Sequence, residues 1–365
     1  MNLIIINKEI FQNRPPVIST LLTLSDLGHN VTLITVEIND YWRNELQKRN
    51  VSIHVVSEKK NANRIEKVFE YLNFKNQVFK YLKKEGINRE NTLLWVIGGN
   101  TIFCLGDTLK KYRFVLQIQE LHENNNRYLR AFSKVINDAE LVFMNEYNRT
   151  VMYQCWFKMK KRPVVLPNKP YFVPTESEIN NLKEKYHKEI SVFEKYKVIL
   201  YQGHIGPGRD LTTFVRAVKE LGPEYRLVCL GPDHNTICKY QAIDPNVVHI
   251  PFIPAPDYLL FTSNALIGIV TYDSDCLNNC YCAPNKIWEY AAFSLPMLCN
   301  DIPGLRYTVE HSGAGICVNE HDTEDIKNAI RYISNNRELY RKNAKVFFES
   351  VNNREIIEKS LNTLQ

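Results

Sequence analysis

Lys286 and Glu289 stand three residues apart in Pro284-Asn285-Lys286-Ile287-Trp288-Glu289-Tyr290, at the opening of an apolar stretch. On a helix that spacing turns both side chains to one face. An ammonium suits a phosphate and a carboxylate suits sugar hydroxyls, so the two, with Asn285, form a candidate binding site. A second candidate is Gly203-His204-Ile205-Gly206-Pro207-Gly208-Arg209. A glycine-rich turn from strand to helix exposes backbone N–H groups and the positive end of the helix, which attract anions. Arg209 adds a planar fork suited to phosphate. A third is Glu120-Leu121-His122-Glu123. A histidine flanked by carboxylates is suited to acid–base or oxyanion work, because a neighbouring carboxylate orients the ring and shifts its pKa. A loop histidine bonded to backbone is the plainer reading, and on these residues alone both stay open.

The elements that must position these groups alternate between strand and helix. Residues 3–6 read as a first strand and Asn7 to Arg14 as a loop. Pro15-Pro16 then opens a helix with Leu21, Leu22, Leu24 and Leu27 on its apolar side, and Gly28 closes it. Strands follow at 31–36, 51–56, 93–97, 114–118 and 139–144. Between them, residues 64–84 form an amphipathic helix with Ile65, Val68, Phe69, Leu72, Val78, Phe79 and Leu82 expected to pack on the sheet. Pro163, Pro167, Pro170 and Pro174 interrupt the pattern, which places a boundary near Asn168. The alternation restarts with strands at 198–202, 225–230, 247–250, 265–270 and 295–299, and residues 313–318 and a helix over 323–334 complete it. The expected fold is therefore α/β with two Rossmann-like domains, 1–168 and 169–365, the last helix packing back on the first. Open α/β sheets keep their ligands beyond the carboxyl ends of the strands, and the candidates at 120–123 and 203–209 follow such ends.

Bulk properties agree. A chain of 365 residues exceeds one ordinary core. With 44% hydrophobic and 24% charged residues it is a globular protein, and a net charge of +6 is too slight to imply nucleic acid. That charge suits anionic small molecules or an anionic membrane surface. Lys75, Lys80, Lys83 and Lys84, and the cluster Lys158, Lys160, Lys161 and Arg162, either rest on lipid headgroups or are simply solvated. The nine cysteines are odd in number and lack paired spacing, as reduced thiols would. No apolar run approaches the roughly 18–20 residues of a membrane span. A cytoplasmic location is expected, with peripheral contact at the inner membrane face as its extension. Cys276, Cys280 and Cys282 lack the second pair of a zinc site. Asp273-Ser274-Asp275 suits a divalent ion on a diphosphate, though short acidic turns are common, and no metal is expected. The first loop contains no glycine, so the dinucleotide fingerprint is missing.

Taken together, these residues resemble the GT-B glycosyltransferases, in particular the large retaining family numbered four. Leu24…Leu27-Gly28-His29-Asn30-Val31 is similar to the family's L-x-x-x-G-H-x-V. Glu120-Leu121-His122-Glu123 looks like its D-x-H-E, Tyr201-Gln202-Gly203-His204 with Arg209 like Y-x-G-R and a following cation, and Pro284-Asn285-Lys286 through Glu289-Tyr290 like P-N-K-x-x-E-Y. The last is the most specific. The resemblance implies two Rossmann-like domains facing a cleft, a nucleotide-sugar donor held mainly by the C-terminal domain and an acceptor held by the N-terminal one. It implies Gly203, His204 and Arg209 at the diphosphate, Lys286 neutralising it beside Asn285, Glu289 at the ribose hydroxyls, and His122, with Glu120 and Glu123, at the transferred sugar. It calls for no metal.

Departures matter. The family's phosphate-loop arginine is His204 here, which makes that site weaker or pH dependent, and its first paired glutamate falls at Tyr281. The glycine pair of the family's first loop is absent, so Asn7 to Arg14, with Arg14 the candidate, is assigned to the acceptor. The expected function is sugar transfer, with retention, from a nucleotide sugar to a glycan or lipid-linked oligosaccharide in surface polysaccharide synthesis. The alternatives are an inactive protein of the same fold that binds a nucleotide sugar or a partner transferase, and a sugar-nucleotide epimerase.

Overall fold

The computed structural model describes residues 1–56 and 64–364, without the side chains of Arg64 and Ile65. The chain divides into two compact units, one formed by Met1–Tyr171 with Asn352–Gln365 and the other by Phe172–Val351.

Unit 1 holds strands β1 (Asn2–Ile10), β2 (Asn30–Glu37), β3 (Ser52–Val55), β4 (Thr92–Ile97), β5 (Arg113–Ile118), β6 (Leu141–Met144) and β7 (Val164–Val165). They form one sheet in the order β3-β2-β1-β4-β5-β6-β7, parallel throughout. β1 and its neighbours are apolar on both faces because helices cover both. Ile4, Ile6, Leu94 and Leu116 pack with Phe74, Val78 and Leu82 on one side. On the other, Leu3, Ile5, Leu33 and Trp95 pack with Val17, Leu21 and Leu24, joined by Ile357 and Leu361 of the last helix, Asn353–Asn362. Each such aliphatic side chain contributes roughly 1.5–3 kcal/mol when fully buried.

Unit 2 repeats the plan with β8 (Lys197–Gln202), β9 (Tyr225–Leu230), β10 (Val248–Ile250), β11 (Ile267–Val270), β12 (Met297–Asn300) and β13 (Gly315–Val318), ordered β10-β9-β8-β11-β12-β13, again all parallel. In both sheets the strand order reverses once, beside β1 in the first and beside β8 in the second. Reversal sends successive helices to opposite faces and opens a crevice at the carboxyl ends. The loops after β1 and β8 are therefore where each sheet can hold a ligand.

Two expectations need correction. β1 does not stop at Ile6; it runs to Ile10 with a register shift between Asn7 and Ile10, and a turn of 3₁₀ helix, Phe11–Asn13, precedes Arg14. The polar run Asn7-Lys8-Glu9 looks like loop, yet an irregularity at a strand end re-aims polar side chains without ending the strand. The helix Arg64–Lys84 has the expected bounds, but its apolar residues do not all pack. Phe74, Val78 and Leu82 are buried and Phe79 is partly so, whereas Val68, Phe69 and Leu72 are 56%, 66% and 50% exposed. The side chain of Ile65 lies outside the described residues. Among the described residues no helix is long and apolar enough to cross a membrane.

Candidate functional site

In unit 2 the helix Asn285–Ala292 points its first turn at the end of β8. Lys286 reaches past that turn so that Nζ lies 4.3 Å from the centre of the Tyr201 ring and 5.7 Å from that of Tyr272. The same Nζ is 3.4 Å from where a side chain on Gly203 would begin. Arg209 lies over the other aromatic partner, its guanidinium 3.8 Å from the Tyr272 ring centre. Two cations are thus stacked on aromatic faces at one end of one sheet, an arrangement that holds them without neutralising them. Burial, and then the Arg209 charge, push Lys286 down to about 7, with Glu289 opposing. An anion at this spot relieves both effects.

Glu289 is differently engaged. Its Oε1 accepts the Tyr258 hydroxyl at 2.6 Å and its Oε2 accepts Gln202 Nε2 at 2.6 Å, while Gln202 Oε1 accepts the Thr262 hydroxyl at 2.7 Å. Burial raises its pKa, and the bonds from Tyr258 and Gln202 and the charge of Lys286 pull the other way. Lys286 and Glu289 make no salt bridge with each other: the lysine faces Tyr201 and Gly203, the glutamate faces Gln202 and Tyr258. Each carboxylate oxygen keeps a second lone pair for a ligand hydroxyl. Asn285 is the first residue of the helix and is half-buried. His204, which is exposed, pairs with His234 on the loop after β9, Nδ1 to Nε2 at 3.3 Å. His234 was not singled out from the sequence.

In unit 1 the loop after β5 carries Glu120, His122 and Glu123. His122 takes a left-handed backbone, φ 58°, and its ring lies on Gly99, the first residue of the helix Gly99–Leu105. A methyl group on Gly99 would sit 2.3 Å from His122 Nε2, so the glycine is what admits the ring. Tyr128 and Phe132 flank the ring edge-on at 4.9 and 5.6 Å. Nε2 is buried and has no hydrogen-bond partner among the described residues. Burial lowers the His122 pKa, with Glu120 opposing, Arg149 reinforcing and Glu123 opposing. The ring is therefore neutral at pH 7. The sequence suggests that a carboxylate orients it, but neither Glu120 nor Glu123 is bonded to it; aromatic packing holds it instead. Glu120, mostly exposed, lies 3.8 Å from the buried Arg149, and Tyr153 fixes the loop by donating to the Leu121 carbonyl at 2.7 Å. Glu123 is half-buried beside it.

Arg14 forms an ion pair with Glu9. Burial raises the Glu9 pKa, with Arg14 opposing and the Glu120 charge adding to the rise. Glu9 thus belongs with the His122 loop electrostatically. Lys8 is buried with Nζ 4.8 Å from the Tyr71 ring centre, and the Tyr128 hydroxyl donates to Asn100 at 3.3 Å. Lys8 and Glu9 lie within the run Asn7 to Arg14 assigned to the acceptor but were not singled out there, because the strand end that presents them reads as loop; their place just beyond an apolar first strand was the available signal.

Among the described residues no group of three or more His, Cys, Asp or Glu side chains is gathered as a metal site. Asp275 accepts from Asn279 at 2.8 Å, which lowers its pKa.

The fold is the GT-B fold. The chain aligns with Anabaena HepE solved with UDP-glucose at a TM-score of 0.73 and 12% identity, over 100% of this chain and 99% of that one. It aligns with sucrose-phosphate synthase from Thermosynechococcus elongatus at 0.69 and 15%, over 98% and 94%. With WaaG, a glycosyltransferase involved in lipopolysaccharide biosynthesis, the values are 0.64 and 16%, over 98% of both chains. Residues 183–346 match the family described as Glycosyl transferases group 1. That segment carries the glycine-rich turn, Arg209, Lys286 and Glu289, and the chain is a glycosyltransferase. No curated protein matches it in sequence.

Proposed function

We propose that the chain transfers a sugar, with retention, from a UDP-linked donor to a glycan or lipid-linked acceptor in surface polysaccharide synthesis. The observation that carries the donor half is the pair of aromatic-stacked cations, Lys286 and Arg209, at the glycine-rich turn after β8. When the glycosidic bond breaks, negative charge develops on the leaving diphosphate, and fixed cations there stabilise the transition state directly. Gly203, with no side chain, leaves room for the diphosphate beside Lys286, and His204 completes the turn. Asn285 and Glu289 supply polar atoms for the nucleoside, Glu289 through its remaining lone pairs. UDP is favoured over other diphosphates because HepE, of the same fold, was solved with UDP-glucose.

Unit 1 takes the acceptor, with Glu9 and Arg14 as its polar contacts, and supplies His122 for the transferred sugar. A neutral imidazole with an unpartnered Nε2 can exchange a hydrogen bond with a sugar hydroxyl. Glu120 and Glu123 set the charge around it. The exposed Val68, Phe69 and Leu72, next to Lys67 and Lys75, suit a peripheral contact with an anionic membrane, where a lipid-linked acceptor would lie.

Calorimetry with UDP, GDP and dTDP tests the donor assignment. UDP binds the full chain and Lys286→Ala weakens it tenfold or more; absence of binding to all three, or undiminished binding by the variant, overturns it. The reaction draws on no metal, so EDTA leaves turnover unchanged. Tyr281, where the resembled family keeps a glutamate, favours a binding-only protein as the second reading. Release of UDP from UDP-glucose, lost on His122→Ala, rules that reading out.

A further inference from the structure

The parallel pairing of β8 with β9 continues past both strands. Ile205 N donates to the Pro232 carbonyl at 3.0 Å and His234 N to the Ile205 carbonyl at 2.9 Å, with a bridge between Ile205 and Asp233. The two loops are thereby locked in register, and the register puts His204 against His234. Gly206 is part of the lock: a methyl group there would lie 2.9 Å from His234 Cβ. The rings stack at an interplanar angle of 24° with Nδ1 of His204 and Nε2 of His234 3.3 Å apart. At that distance one nitrogen carries a proton and the other accepts it. His204 Nε2 and His234 Nδ1 make no hydrogen bond to the described residues, so one nitrogen of each ring faces outward unspent.

Resting on the donor reading above, we propose that His204 and His234 form a proton-sharing pair that grips the diphosphate of the bound donor, so that donor binding takes up a proton. With one proton taken up the pair is a cation presenting N–H groups to phosphate oxygens, doing conditionally what an arginine does at every pH. Charged groups stand on the same loops and on the segments beside them. On the same loops, Asp233 Oδ1 is held by the N–H groups of Thr236 and Ile237, and Asp210 Oδ1 by Thr212. From the neighbouring segments come Arg209, Lys286, Asp273, whose N–H donates to the Gly208 carbonyl, and Asp275. One oxygen of the Asp233 carboxylate and one of the Asp210 carboxylate is already held within its own loop, and neither carboxylate makes an ion pair with His204 or His234, which leaves the protonated pair for an added anion.

UDP-glucose is the probe, since its diphosphate does not titrate between pH 6 and 8. Calorimetry on the full chain with EDTA, in buffers of different ionisation heat, counts the protons taken up. Lys286 titrates in the same window, so the reading is the difference between wild type and His234→Gln, with His204→Gln as the second variant and thermal melts confirming the fold of both. Wild-type affinity rises from pH 8 to pH 6. Each variant takes up fewer protons, and loses about tenfold in affinity at pH 6 and under about twofold at pH 8. Unchanged proton uptake, or an equal loss at both pH values, overturns the pair while leaving the donor site standing. No binding of UDP-glucose by the wild type overturns the donor reading itself.

Discussion

Lys286 Nζ lies 4.3 Å above the Tyr201 ring, and the two residues come from a helix and a strand that meet only at the carboxyl end of the second sheet. The contact holds an ammonium in a place that disfavours its charge, down to about 7. A lysine whose folded pKa is depressed below its unfolded value of 10.5 binds fewer protons folded than unfolded between those two values. Stability therefore falls as pH drops from about 10.5 to 7, and ligand restores it.

Lys286→Met removes that penalty together with the diphosphate contact. The ligand-free variant melts a few degrees higher than wild type at pH 7, and UDP no longer raises its melting temperature. A variant that melts lower, or that still responds to UDP, contradicts the assignment. The opposed signs follow from a group placed for binding at a cost to stability.

Glu289→Gln keeps shape and loses an acceptor. Its amide must turn a donor toward either the Tyr258 hydroxyl or the Gln202 amide, both of which now donate. The expected cost is about 1–3 kcal/mol of unfolding free energy, read from urea titration, with a weakened UDP complex. Tyr258→Phe removes one bond and costs about 1 kcal/mol. If the two variants were equally mild, the carboxylate would not be the centre of that network.

His122→Gln separates chemistry from donor binding. UDP affinity by calorimetry stays within about twofold while sugar transfer falls about 10²-fold or more. Gly99→Ala reaches the same ring from beneath. It must displace the imidazole or the helix, costs about 1–3 kcal/mol, and lowers turnover alongside His122→Gln. A Gly99→Ala enzyme with wild-type turnover would show that the ring's position is immaterial.

Phe69→Glu tests the exposed apolar start of the helix Arg64–Lys84. Because Phe69 is 66% exposed, stability changes by less than about 0.5 kcal/mol, while flotation with phosphatidylserine vesicles, expected for wild type, is lost. Equal flotation of both proteins removes this surface from membrane contact.

Some of this molecule is written locally. The alternation of apolar strands and amphipathic helices depends on side-chain period within ten or twenty residues, so the two parallel sheets were legible, as were the glycine-rich turn with Arg209 and the Pro284-Asn285-Lys286 helix start. Lys286 and Glu289 were legible as a pair because helical spacing is short-range. That they turn to different partners, Tyr201 and Tyr258, was not, because those partners lie across a sheet.

What tertiary structure alone decided are contacts whose members are far apart in the chain. Gly99 under His122 depends on β4 lying beside β5, His204 against His234 depends on two loops continuing one parallel register, and the ring of His122 is fixed by packing where its flanking carboxylates suggested a charge partner. Apolar spacing on the helix Arg64–Lys84 states which face is apolar, but only the packing of the folded chain leaves Val68, Phe69 and Leu72 exposed. Sequence specified the groups capable of chemistry. The pairing of strand ends, set by which parallel neighbour each strand finds, determined which of those groups stand together and which nitrogens and carboxylates remain open to a ligand.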